Sequence, residues 1–163
     1  MTREKRIEWL ESSLESRIVI LDGGMGTMIQ AAGLGESDYR GERFKDFNQD
    51  LKGNNDLLTL TQPKFIASIH RDYIEAGATI IETNTFNSNS PSMGDYSMGN
   101  LVAELNREAA KLARNVADTF ERPILVAGVL GPTTRTCSIS PEVNDPGARN
   151  ITYAQLVETY ADA

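Results

Sequence analysis

Cysteine and histidine are almost absent from this sequence of 163 residues; each occurs once, as Cys137 and His70. A lone cysteine excludes an intrachain disulfide, which suits a reducing, cytoplasmic setting. One cysteine and one distant histidine also fall short of the three nitrogen or sulfur protein ligands a zinc site ordinarily takes. Basic residues are in deficit, with 16 Lys and Arg against 23 Asp and Glu and a net charge of −7. Nucleic acids and anionic membranes attract the opposite balance, so neither is an expected partner. No apolar run approaches the roughly 20 residues of a membrane span. The N-terminal MTREKRIEWLESSLESR is charged throughout and has no apolar signal core. Internal repeats and low-complexity segments are missing too.

What is present alternates between two patterns. Ile7, Leu10 and Leu14 lie at helical spacing and predict a short amphipathic helix before residue 17. IVIL (18–21), TII (79–81) and ILVAGVL (124–130) are short, continuous apolar runs, as expected of buried strands. TQPKFIASIHRDYIEAG reads as a helix with Pro63 in its first turn and Gly77 at its end. Leu101, Val102, Leu105, Ala109, Leu112, Ala113, Val116 and Phe120 form the apolar stripe of a second helix. A third opens at Thr152, with Gln155 completing a capping box and Ile151 and Leu156 placed as a hydrophobic staple. It has no stop signal before Ala163, which reads as a truncated chain. Residues 33–57 read as a long connection, with short helical turns at most, and NSNSPSMGDYSMG as a loop. Strands alternating with helices predict an α/β fold with a parallel sheet.

In such folds ligands gather at the carboxyl ends of the strands. All three strands end in polar groups: Asp22, then Glu82 to Thr85, then Thr133 and Thr134. The turn after the first is Asp22-Gly23-Gly24-Met25-Gly26. A dinucleotide fingerprint needs a third glycine, absent here, and no Gly-Lys-Ser/Thr of a phosphate loop occurs. Asp22 would also repel a pyrophosphate seated in the same turn. A carboxylate beside free backbone N–H groups suits an α-amino acid instead, its ammonium on the acid and its carboxylate on the amides. The plain alternative is that Asp22 only caps the turn. Glu82 has a similar alternative in an internal ion pair, and Asn84 and Thr85 in turn formation. His70 is expected at a surface or interface, Cys137 as a small packing residue, and Asn54-Asn55-Asp56 as a simple turn.

In order along the chain, DGGMGTMIQ, RGERF, KGNNDLL, EAGATIIETNTFNS, VAGVLGPTTRTCSISPEVNDP and RNITYAQL resemble the N-terminal homocysteine-binding domain of cobalamin-dependent methionine synthases, from about Ile18 onward. The DGG and GP features are shared with the related betaine–homocysteine methyltransferases, whereas KGNNDLL and SISPEVNDP resemble the cobalamin-dependent branch; a betaine- or S-methylmethionine-type homocysteine methyltransferase is the alternative within the family. The resemblance implies the N-terminal part of a (β/α)8 TIM barrel, about three βα units, with residues 1–17 a helical extension and 18–163 an incomplete homocysteine-binding barrel domain. It implies that Asp22 and Gly23 hold the amino-acid end of homocysteine, with Glu82, Asn84 and Thr133 on the same rim. It further implies zinc and cobalamin as cofactors of the parent enzyme, partnership with folate and cobalamin domains, and methyl transfer to a zinc-bound homocysteine thiolate. The late cysteines that hold zinc in that family are not in this sequence. The expectation is therefore a piece with no bound cofactor and no turnover of its own. A nucleotide-binding α/β module is the alternative of another class.

Overall fold

A computed structural model describes residues 1–163. Helix α1 runs Arg3–Ser16, and its first turn is closed by the Thr2 hydroxyl accepting from the Lys5 amide. Residues 18–21, predicted as a full strand, make only a single parallel bridge, Leu21 to Ile80. The glycine turn follows, and then α2, Met25–Ala31. The long connection is more ordered than its composition suggests. It contains α3, Glu36–Arg40, and, past a turn of 3-10 helix at Asn55–Leu57, α4, Leu58–Thr61. Glu36 explains that order, because its carboxylate accepts the amides of Leu51 and Lys52 while pairing with Arg40 at 2.6 Å. Arg40 in turn donates to the carbonyls of Phe47 and Gln49. One Glu–Arg pair thus satisfies the backbone of a segment with no ladder of its own.

Helix α5 runs Pro63–Glu75 and ends two residues before Gly77, whose φ of +112° is a conformation that side chains rarely adopt. Strand β1 is Ile80–Glu82. The segment expected to be all loop contains α6, Ser90–Gly94, capped by Asn89 accepting from the Ser92 amide. Helix α7, Val102–Ala117, carries the apolar stripe, and β2 is Leu125–Ala127, shorter than the predicted run of seven. Helix α8, Tyr153–Asp162, opens with the expected capping box at Thr152 and Gln155.

The sheet is parallel. Ile80, Ile81 and Glu82 pair with Leu125, Val126 and Ala127, and the 18–21 segment lies on the other side of β1. The α/β prediction therefore holds, with three strand tips side by side and β1 in the middle. Ile81 has no exposed surface and packs with Ile74, Ala113 and Val116 from the flanking helices and with Ile124, the residue before β2. A larger cluster around Leu57, Leu58, Ile66, Met93 and Leu105 joins α4, α5, α6 and α7. Each such fully buried side chain contributes about 1.5–3 kcal/mol.

Apolar side chains remain uncovered at both edges of the sheet. Ile18 is 87% exposed, and Ile20, Leu21 and, past β2, Leu130 are also exposed. Edges of this kind template pairing with other chains. Self-association is the expected behaviour in sedimentation velocity at micromolar concentration, reduced by Ile18→Lys and Ile20→Lys together. A single monomeric boundary across the concentration series would contradict it.

His70 departs from its expected place. It lies on α5 with no exposed surface, and neither ring nitrogen has a hydrogen-bond partner. Burial pushes its pKa down to about 4, so the ring is neutral in the folded protein at neutral pH.

Candidate functional site

A cleft of about 450 Å³ opens at the carboxyl ends of the strands. Its walls are the Asp22–Gly26 turn, Asn55 and Asp56, the β1 tip from Glu82 to Asn84, Phe86 and Asn87, and Val129 beyond β2. Three carboxylates line it, Asp22, Asp56 and Glu82, and no lysine or arginine does.

Asp22 reaches across to the neighbouring strand. Its Oδ2 accepts the Glu82 amide at 3.0 Å, and its own amide donates to the Ile80 carbonyl at 2.9 Å. Its Oδ1 is buried and has no partner in the protein. Burial raises its pKa to about 6, with the nearby Glu82 charge adding and the Glu82 N–H opposing. A buried carboxylate oxygen without a donor is costly unless a ligand supplies one. The adjoining turn keeps donors free, since neither Gly23 nor Gly24 donates its N–H to a protein acceptor. A Cβ at Gly24 would sit 2.9 Å from Thr27 Oγ1, so the turn closes tightly because that residue has no side chain.

Glu82 is half-buried and forms no salt bridge, so the internal ion pair considered for it is absent. Asn84 lines the cleft but spends its amide on bracing, donating to the Asn55 carbonyl at 2.9 Å and to Thr59 Oγ1 at 3.3 Å. Thr83 and Thr85 stitch the two strand tips together: Thr83 Oγ1 accepts the Val129 amide, and Thr85 Oγ1 donates to the Val129 carbonyl. Thr133 stands apart from the cleft lining, its hydroxyl turned onto the Arg135 carbonyl.

Asp56 belongs to the site although its segment read as a simple turn. It is 1% exposed, and its Oδ2 accepts from the Asn87 amide at 2.7 Å and the Ser88 hydroxyl at 2.8 Å. Burial raises its pKa to about 6 against the pull of those donors. The usable signal was a run of three polar residues directly before the apolar LLTL: a turn that feeds a buried helix is itself drawn inward.

The family model for homocysteine S-methyltransferase matches residues 19–163. The chain belongs to the homocysteine S-methyltransferase family. Among solved structures it is similar to the homocysteine methyltransferase MmuM from Escherichia coli. The metallated form matches at 22% identity and a TM-score of 0.58, covering 76% of this chain and 41% of that one. The oxidized form matches at 23% and 0.59, covering 76% and 40%. At that identity the likeness is one of fold, and this chain spans about 40% of the length of those structures.

The residues present do not fit the zinc that the family resemblance implies. No group of three His, Cys, Asp or Glu side chains is placed to hold a metal ion. His70 is sealed in the core, and the Cys137 thiol, half-buried as a packing residue would be, donates to the Ile151 carbonyl at 3.4 Å.

Proposed function

We propose that this chain forms the amino-acid seat of a homocysteine S-methyltransferase of the cobalamin-dependent methionine synthase branch. The observation that carries the proposal is the unpartnered Asp22 Oδ1 beside the free Gly23 and Gly24 amides, in a cleft lined by carboxylates and no cation. An α-ammonium group satisfies Asp22, and an α-carboxylate takes the glycine N–H groups. Asp22 is tied to the Glu82 backbone, so the acceptor is already oriented before a ligand arrives. A nucleotide module is disfavoured by the same lining, because phosphate meets only like charge there.

The branch assignment rests on KGNNDLL and SISPEVNDP. The former supplies Asn55 and Asp56 to the cleft, which ties that stretch to the site itself. In this proposal the strands are the first part of a (β/α)8 barrel, residues 18–163 belong to it, and residues 1–17 are an extension. Gly23, Glu82 and Asn84 complete the substrate rim, with Asn84 acting as a brace, while Thr133 lies outside the cleft lining. The whole enzyme would take its methyl group from methylcobalamin, recharged by 5-methyltetrahydrofolate on companion domains in the cytoplasm, and return methionine.

Isothermal titration of the chain with L-homocysteine under reducing conditions tests the seat. Removing a charge-assisted hydrogen bond costs about 1.5–3 kcal/mol, so Asp22→Asn is expected to weaken binding roughly tenfold or more. A thiol-carboxylate analogue lacking the α-ammonium should bind wild type and variant alike. Equal homocysteine affinity for the two proteins would end the proposal.

A further inference from the structure

We infer that Asp56 is a positioning residue: it fixes the cleft wall at Phe86, Asn87 and Ser88 instead of touching the bound amino acid. The inference rests on the amino-acid seat proposed above and adds the device that sets its width. Residues 54–56 and 84–88 lie about thirty positions apart and are joined by three hydrogen bonds. Asn84 donates to the Asn55 carbonyl, and the Asn87 amide and Ser88 hydroxyl both converge on one oxygen, Asp56 Oδ2. No arginine or lysine bonds to Asp56. The protein bonds of Asp56 all go to this turn through Oδ2, and an ionised acceptor holds neutral donors more strongly than a neutral one does.

The turn it holds is a junction. The Ser88 carbonyl accepts from Asn106 on α7 at 2.8 Å, which anchors the far side of the wall. The Phe86 carbonyl occupies the space where a side chain at Gly131 would start, so the turn packs closely on the chain leaving β2. Phe86 and Asn87 line the same cleft as the Asp22 turn. Asp56 makes no bond to Asp22 or its glycines, so releasing Asp56 frees the 86–88 part of the cleft lining while leaving the Asp22 turn in place.

Asp56→Asn, Asp56→Ala and Ser88→Ala test this. Asparagine keeps an acceptor oxygen for the Asn87 amide and the Ser88 hydroxyl while giving up the charge and exchanging the other oxygen for NH2, so it should bind L-homocysteine within about threefold of wild type, and Asp56→Ala roughly tenfold more weakly. Ser88→Ala removes one of the two bonds and should fall between them. Amide hydrogen exchange on the ligand-free proteins supplies an independent readout. The Asn87 amide should lose protection by about tenfold or more in Asp56→Ala and keep it in Asp56→Asn, while helix α7 stays protected in all three. If Asp56→Asn loses as much affinity as Asp56→Ala with the Asn87 amide still protected, Asp56 touches the ligand directly and the positioning role is overturned. Unchanged Asn87 exchange in Asp56→Ala overturns it as well. If wild type takes up no homocysteine, the seat itself fails, and the exchange data alone decide whether Asp56 holds the wall.

Discussion

Gly131→Ala is expected to lower stability by about 3 kcal/mol and to displace residues 86–88, because the new methyl group has no room. A Cβ built on Gly131 collides with the Phe86 carbonyl oxygen and crowds the Phe86 ring. Two of those neighbours are backbone atoms, so a rotamer change offers no escape. The glycine is also pinned from its other side, where its carbonyl accepts the Tyr160 hydroxyl at 2.9 Å. The chain must therefore open between the β1 and β2 tips, which also breaks the bonds of Thr83 and Thr85 to Val129. Gly128→Ala is the matched control, since nothing lies within 4 Å of its Cβ position. That change should stay within about 1 kcal/mol of wild type. Urea titrations of the three proteins give the comparison directly, provided the m-value is constant. Coincident midpoints for the two variants would show that the strand tips are not packed as described.

The contrast between these two glycines shows where the sequence was legible. Patterns that depend on near neighbours along the chain were readable. The α7 stripe buries Val102, Leu105, Ala109, Ala113 and Val116, Pro63 opens α5, and Thr152 with Gln155 caps α8. Asp22 and Glu82 come together at one cleft because parallel strands put their carboxyl ends on one side, a rule that needs only the order of elements. Features set by distant partners were not readable. Nothing near Gly131 in sequence announces Phe86, 45 residues earlier. Nothing near Asp56 announces Asn87 and Ser88, so three polar residues in a row read as a simple turn. Residues 33–57 read as a long connection because the Glu36–Arg40 ion pair orders much of their backbone in place of a periodic apolar pattern. The first and third strands came out shorter than their apolar runs, 18–21 and 124–130, since a run reports burial whereas a ladder needs a hydrogen-bonding neighbour. Residues 18–21 have one on one side only.

His70 belongs with the unreadable features, and it carries the second large expected effect. A ring with no exposed surface and two unpaired nitrogens is a destabilising presence even when neutral. His70→Leu should raise stability by about 1 kcal/mol at pH 7.5. The larger effect lies in its pH dependence. Below about pH 6.5 the unfolded chain protonates this histidine, whereas the folded chain does not until about pH 4. The unfolded state then binds more protons, so the His70 contribution to stability falls as pH drops through that window. The full span amounts to about 3 kcal/mol. Asp22 and Asp56 act with the opposite sign. Their pKa values are raised to about 6, so between there and the ordinary 3.8 the folded state is the one that takes up protons. The wild-type profile alone mixes these contributions. The difference between His70→Leu and wild type removes both aspartates, because they are common to the two proteins. That difference should widen steadily from pH 7 to pH 4.5 in urea titrations. A gap that stays constant would mean that the folded protein protonates His70 freely, and the ring would then have to reach solvent or an acceptor.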